Sequence, residues 1–316
     1  MIFKKDFQKK VLIDRDNHEN LCSNLFLIHN TLNMKKRFFL FLIFIFSVIH
    51  INAQWNHFSN DSVNYVFADT AFVRTAPSAV NTPISDTLFA ADIVTILENS
   101  EPLLSLKGIS CPWMYISYKK DSVEKKGYIW SGLLAFNALR RGDTKFVCGA
   151  NRIVVRDTTI NGSKDRVKVC SIGIKVFRKG NKLASTQFNV LYYEELFNFV
   201  KAEARSGLGL KNVENIVSVT ISGEACDIPT DTYYFGFRAN EIVPIYNIEN
   251  ISSAGLYYHD ERLFFPAEKG GKENMIIWKM ENGEDTEKID KKGEPIYKKK
   301  YSNKELMWDG DKAVAK

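Results

Sequence analysis

Histidine is scarce: the 316-residue chain holds five, at positions 18, 29, 50, 57 and 259. A zinc hydrolase needs three or more closely spaced His, Cys, Asp or Glu ligands. No His-Glu-x-x-His spacing occurs, so no metal site is expected. A Gly-x-Ser-x-Gly nucleophile elbow is also missing, which removes that type of serine hydrolase. Gly207-Leu208-Gly209 lies at the end of a predicted helix instead of opening one, and is therefore no phosphate cradle. Asp309-Gly310-Asp311 is too short for a calcium loop. No cofactor is expected. The sequence shows no repeat of the length that builds propellers or solenoids.

Long apolar runs are also few, and the one clear run is informative. Met34 is followed by Lys35, Lys36 and Arg37, then by an apolar stretch from Phe38 through Ile49 and a small residue at Ala53. A basic head, a short apolar middle and a small residue are the three regions of a secretory signal peptide. A membrane anchor is the alternative, but a span needs about 20 apolar residues and His50 and Asn52 interrupt this run first. Residues 34–53 are accordingly expected to be a signal peptide cleaved after Ala53. Residues 1–33 are read as a mis-assigned extension ahead of a true start at Met34. The protein is then secreted or periplasmic, with no stable membrane span after cleavage.

Removing that segment changes the charge balance. Eight of the 43 bases and four of the 37 acids lie within residues 1–53, so the remainder carries 35 and 33 and the net charge falls from +6 to +2. Nothing in that balance points to nucleic acid. Four cysteines survive: Cys111, Cys148, Cys170 and Cys226. An even number in an oxidising compartment makes them candidate disulfide cysteines, with buried free thiols the alternative. A hairpin turn at Asn161-Gly162 would place Cys148 opposite Lys175, which disfavours the pairing of Cys148 with Cys170.

From residue 65 to 136 short alternating strands are separated by turns at Pro77, Pro83, Pro102 and Pro112. Five such strands suit a small closed barrel, which removes exposed edges. The quoted order is Phe72-Val73-Arg74-Thr75-Ala76-Pro77-Ser78, Asp86-Thr87-Leu88, Asp92-Ile93-Val94-Thr95-Ile96-Leu97, Trp113-Met114-Tyr115-Ile116 and Gly127-Tyr128-Ile129-Trp130. In that order and spacing the segment resembles the bacterial SH3 (SH3b) domain. Phe72 and Ala76 stand where the family usually has Asn and Gly, and the loop from Asn99 to Cys111 is long. The resemblance implies an SH3-like barrel and a peptide or cell-wall component as partner. By the family pattern Trp113 and Tyr128 are core. Trp130 and Tyr118 alternate to the opposite side, where they are expected to line an exposed groove, with Tyr65 and Tyr115 as further ligand-binding candidates.

Residues 140–316 read as a larger, mostly antiparallel β domain. A meander runs through residues 145–156, 166–177 and 182–190, followed by one predicted α-helix over 192–205 with Leu196, Phe197, Val200 and Ala204 on one face. Further strands are expected at 216–222, 232–238 and 241–246, the last two joined at Ala239-Asn240. A second aromatic set, including Tyr233, Tyr234, Phe235, Phe237, Tyr257, Tyr258, Phe264 and Phe265, is read first as core and second as an interaction surface. From Glu281 charge dominates, as in a solvated hairpin or loose tail.

The expected fold class is thus mainly β, a small SH3-like barrel followed by a β domain with one helix. The expected function is non-catalytic binding or scaffolding. A cell-envelope hydrolase is the competing class, because SH3b domains often accompany one. Such a site needs a thiolate and an oriented histidine, and Cys226 with His259 is the least bad pair. A purely structural envelope protein is the third reading.

Overall fold

The computed structural model describes residues 58–160, 163–192, 199–222, 228–253 and 255–315. The expected extension, signal sequence and cleavage point, the Asn161-Gly162 turn and Cys226 all lie outside the described residues. Among the described residues the fold is three antiparallel sheets and a single 3-10 turn at Ser131–Leu133.

The first sheet contains β1 (Val63–Tyr65), β2 (Thr70–Arg74), β3 (Ile84–Phe89), β4 (Ile93–Leu106), β5 (Ile109–Lys120) and β6 (Val123–Trp130), in the order β1-β4-β5-β6-β2-β3. Period-two alternation sends Ala71, Val73, Leu88, Val94, Ile96, Met114, Ile116 and Ile129 into one cluster. The sheet curls around that cluster. Asp86 on β3 meets Tyr118 and Lys120 on β5, although β2 and β6 separate those strands in the sheet order. The expected long loop from Asn99 to Cys111 is instead the outer half of the β4–β5 hairpin. Its tip turns at Lys107-Gly108, where the Lys107 carbonyl accepts the Ile153 amide at 2.9 Å.

The second sheet has four strands, β7 (Asn137–Arg141), β8 (Thr144–Ile160), β9 (Ser163–Arg178) and β10 (Asn181–Leu191), in the order β10-β9-β8-β7. The third is an eight-stranded meander in chain order: β11 (Phe199–Ser206), β12 (Asn215–Ser222), β13 (Thr230–Arg238), β14 (Glu241–Ser253), β15 (Tyr257–Phe264), β16 (Met275–Ile289), β17 (Pro295–Trp308) and β18 (Ala313–Ala315).

The predicted helix over 192–205 is not formed: residues 199–206 are strand β11, paired along its whole length with β12. Residues 193–198, which carry the rest of that expectation, lie outside the described residues. The physical reason is a competing period. Val200, Ala202 and Ala204 alternate with Lys201, Glu203 and Arg205, and the apolar set packs into the main core. Edge pairing with a buried strand outweighs the helix propensity of Ala, Glu, Lys and Arg.

That main core is shared by all three sheets. Phe146 and Cys148 of β8, Cys170 to Val176 of β9, Val217 to Ile221 of β12 and Phe235 and Phe237 of β13 meet Cys111, Trp113 and Trp130 of the first sheet. The first sheet thus keeps a cluster of its own and also contributes to a core shared across residue 138. The described residues outside 157–166 group into one compact unit. The opposite face of the meander forms a third cluster, in which Ile216, Ile245, Ile276, Leu306 and Trp308 come together from β12 to β17. Such a gathering requires the meander to coil on itself.

A second link joins the first sheet to β8 and β9. The ring of Phe67 lies where side chains at Gly149 and Gly173 would stand, so only glycine permits this approach at either position. Lys175 Nζ sits 4.6 Å from the centre of that ring and donates to the Phe67 carbonyl at 2.6 Å and to Asp69 at 3.0 Å. Burial pushes the Lys175 pKa down, partly offset by Asp69.

Candidate functional site

The aromatic candidates of the first sheet divide by burial. Trp130 and Tyr118, expected on an exposed groove, are 3% and 4% exposed. The Trp130 indole donates to the carbonyls of Leu104 at 3.0 Å and Cys111 at 3.1 Å, inside the core shared by the sheets. Tyr118 donates to Asp86 at 3.3 Å, and burial followed by the Asp86 charge pushes its pKa up to about 12. Trp130 is covered by the second sheet and Tyr118 by the sheet's own curl, so neither side chain reaches solvent. Tyr65 and Tyr115 remain half-buried; Lys145 lies 4.3 Å over Tyr65, and Tyr115 packs on Tyr128 at 4.9 Å.

Sequence alternation pointed past the exposed apolar surface of this sheet. Phe72 on β2 and Phe89 on β3 are 46% and 56% exposed, and Ile84 beside them is also exposed. Phe72 pairs with Thr87, Phe89 with Thr70 and Ile84 with Arg74, which puts the three apolar side chains on one outer face. The strand carrying two of them, β3, is the last in the sheet order. The signal was available in Phe72, which stands where the resembling family has a polar residue.

Cys111, Cys148 and Cys170 are buried in the shared core. Cys148 and Cys170 are free thiols, and burial pushes each pKa up to about 12. Such thiols are inert packing groups. Cys226 lies outside the described residues. His259 on β15 has both ring nitrogens engaged, Nδ1 with the Asn282 side-chain oxygen and Nε2 with Glu261 at 3.0 Å. Glu261 also accepts the Glu249 amide at 3.2 Å, while its own amide donates to Asn250. These bonds tie β15 to β14 just beyond the point where their backbone ladder stops at Ile251 and His259. Burial alone would lower the His259 pKa, but bonds to Glu261 and Asn282 and the charges of Glu261 and Glu249 raise it.

The most developed surface lies on the other face of β15, β16 and β17. Register aligns Tyr258, Gly283 and Lys299 in one row, Asp260, Glu281 and Tyr301 in the next, Arg262, Lys279 and Asn303 in a third, and Phe264, Ile277 and Glu305 in the last. The Tyr258 ring lies over Gly283, where any side chain would collide with it. Its hydroxyl donates to Glu281, which also pairs with Lys299 at 2.8 Å. Arg262 pairs with Asp260 at 2.7 Å, and Lys279 Nζ lies 4.8 Å over Phe264. Tyr301 is 68% exposed. A shallow depression of about 450 Å³ runs between Phe264, Arg262 and Tyr301, a volume within the range of small-molecule sites. The charged stretch after Glu281 thus takes the hairpin form. Of the second aromatic set, Phe235, Phe237 and Phe265 are core, whereas Tyr258 and Phe264 stand on this face.

Among the described residues no group of three His, Cys, Asp or Glu is arranged to hold a metal ion, and no helix is long and apolar enough to cross a membrane. Comparison with protein-family models, with curated proteins and with solved structures finds no match to this chain.

Proposed function

We propose that this chain is an exported, non-catalytic binding or scaffolding protein, secreted or periplasmic, whose residues 65–136 form an SH3b-type unit that recognises a peptide or another cell-envelope component. The resembling motifs fall in strands: Phe72-Val73-Arg74 in β2, Trp113 to Ile116 in β5 and Gly127 to Trp130 in β6. The curl that brings Asp86 onto β5 also supports the reading. The observation that carries it is the exposed apolar row of Phe72, Ile84 and Phe89 beside the terminal strand β3. An extended peptide can add to such an edge through main-chain hydrogen bonds while apolar side chains set specificity.

The hydrolase reading needs a histidine nitrogen able to take a proton from Cys226. Both nitrogens of His259 are already bonded, to Asn282 and Glu261, which supports the non-catalytic reading. The test is retention of envelope peptides, including peptidoglycan stem peptides, by the immobilised protein and by its Phe72→Ser/Phe89→Ser variant. Retention by the first and loss by the second is expected. Equal retention by both, or none by either, overturns the proposal.

A further inference from the structure

The β15–β17 face is separate from the β2–β3 edge and has its own chemistry. Its charges are satisfied locally: Arg262 by Asp260, Lys299 by Glu281, and Lys279 against the Phe264 ring. These pairs are partly exposed and individually weak, but they cancel within the face and leave a charged partner little net attraction. An uncharged partner needs none. What the face offers is planar carboxylate, guanidinium and amide groups from Asp260, Glu281, Arg262 and Asn303, fixed on rigid strands and interleaved with the rings of Tyr301 and Phe264.

That combination suits a ligand with hydroxyl groups around its rim and apolar C–H faces above and below. Planar bidentate groups match pairs of neighbouring hydroxyls, donating and accepting without a change of charge. Aromatic rings supply apolar contact at low entropic cost. We propose that this face binds a neutral linear oligosaccharide, with one pyranose ring stacked on Tyr301 and its neighbours hydrogen-bonded in the depression beside Arg262. The proposal extends the binding reading above to a second surface and rests on the chain being a binding protein.

The test is calorimetric titration of the whole protein with chitohexaose, cellohexaose and maltohexaose, repeated at low and high salt. At least one neutral hexamer should bind with an affinity that salt leaves unchanged. Tyr301→Ala should weaken it by about tenfold or more, with the melting temperature unaltered because the side chain is largely exposed. Glu281→Gln is the second variant. It keeps an acceptor for Tyr258 but loses the ion pair with Lys299, and should weaken the same hexamer. Phe72→Ser should leave sugar affinity unchanged. Absence of binding by all three hexamers, a steep salt dependence, or full affinity in Tyr301→Ala overturns the proposal. If the hexamers fail while envelope peptides are still retained, only the sugar site falls; if neither binds, the broader binding reading falls with it.

Discussion

Phe67→Ala tests how the first sheet is fixed to the second. The ring is 2% exposed and rests on the bare backbone of Gly149 and Gly173, a socket of main chain that cannot collapse onto an alanine. The loss should therefore approach the full cost of a buried phenylalanine with its cavity, about 3–5 kcal/mol. The contact with Lys175 is lost too, but the Lys175 bond to the residue 67 carbonyl survives because it is made to main chain. Taking about 4 kcal/mol and roughly 2–4 °C per kcal/mol for a domain of this size, the melting temperature should fall by some 8–16 °C. Urea denaturation and calorimetry on both proteins measure this, with Phe72→Ala as the exposed control, expected to cost about 0.5 kcal/mol or less. A loss below about 1 kcal/mol in Phe67→Ala would mean that the glycine socket does not hold the two sheets together.

Asp86→Asn should lower the urea midpoint at neutral pH. The Lys120 bond holds the Asp86 carboxyl well below its usual value of 3.8, against the opposing effect of burial. Its stabilising contribution is complete above 3.8 and is lost as pH falls toward the lower folded value, so the two proteins should converge in acid. His259 should titrate above 6.5 by NMR. Because its folded value is raised, its contribution is complete below 6.5 and is lost as pH rises through the folded value, and His259→Gln should abolish that alkaline loss. Cys148 and Cys170 should resist alkylation at mildly alkaline pH in the native protein and react fully in denaturant; native labelling would contradict their burial.

The mainly β, antiparallel character was readable because alternation and turn chemistry are local. The Ala239-Asn240 turn between β13 and β14 has both residues at positive φ, 42° and 64°, the conformation that a two-residue hairpin requires. Residues 199–206 show where local reading divides. Val200 and Ala204 satisfy a helical stripe as well as an alternating one, and Ala202 decides between them by entering the shared core. The deciding contact comes from β12, which begins nine residues after the strand ends, so a window confined to 192–205 holds no trace of it.

Trp130 poses the same problem on a larger scale. It is expected on the side opposite Trp113 and Tyr128, whereas register pairs it with Trp113 and puts all three on one face, away from Ile129; a lone barrel would leave that face to solvent. The face is covered because β8 and β9 pack against it, and what commits the tryptophan is its indole, which satisfies two carbonyls of the β4–β5 hairpin. Replacing Trp130 by Phe keeps an aromatic ring but removes the donor shared by the Leu104 and Cys111 carbonyls, at about 0.5–1.5 kcal/mol for a lost hydrogen bond. If the indole instead served a ligand, Trp130→Phe would lower affinity and leave the melting temperature alone. The geometry requires the reverse, a lower melting temperature with peptide retention intact. The proposed recognition surfaces are therefore those whose rings stay exposed: Phe72 and Phe89 on the β2–β3 edge, and Tyr301 on the β16–β17 hairpin.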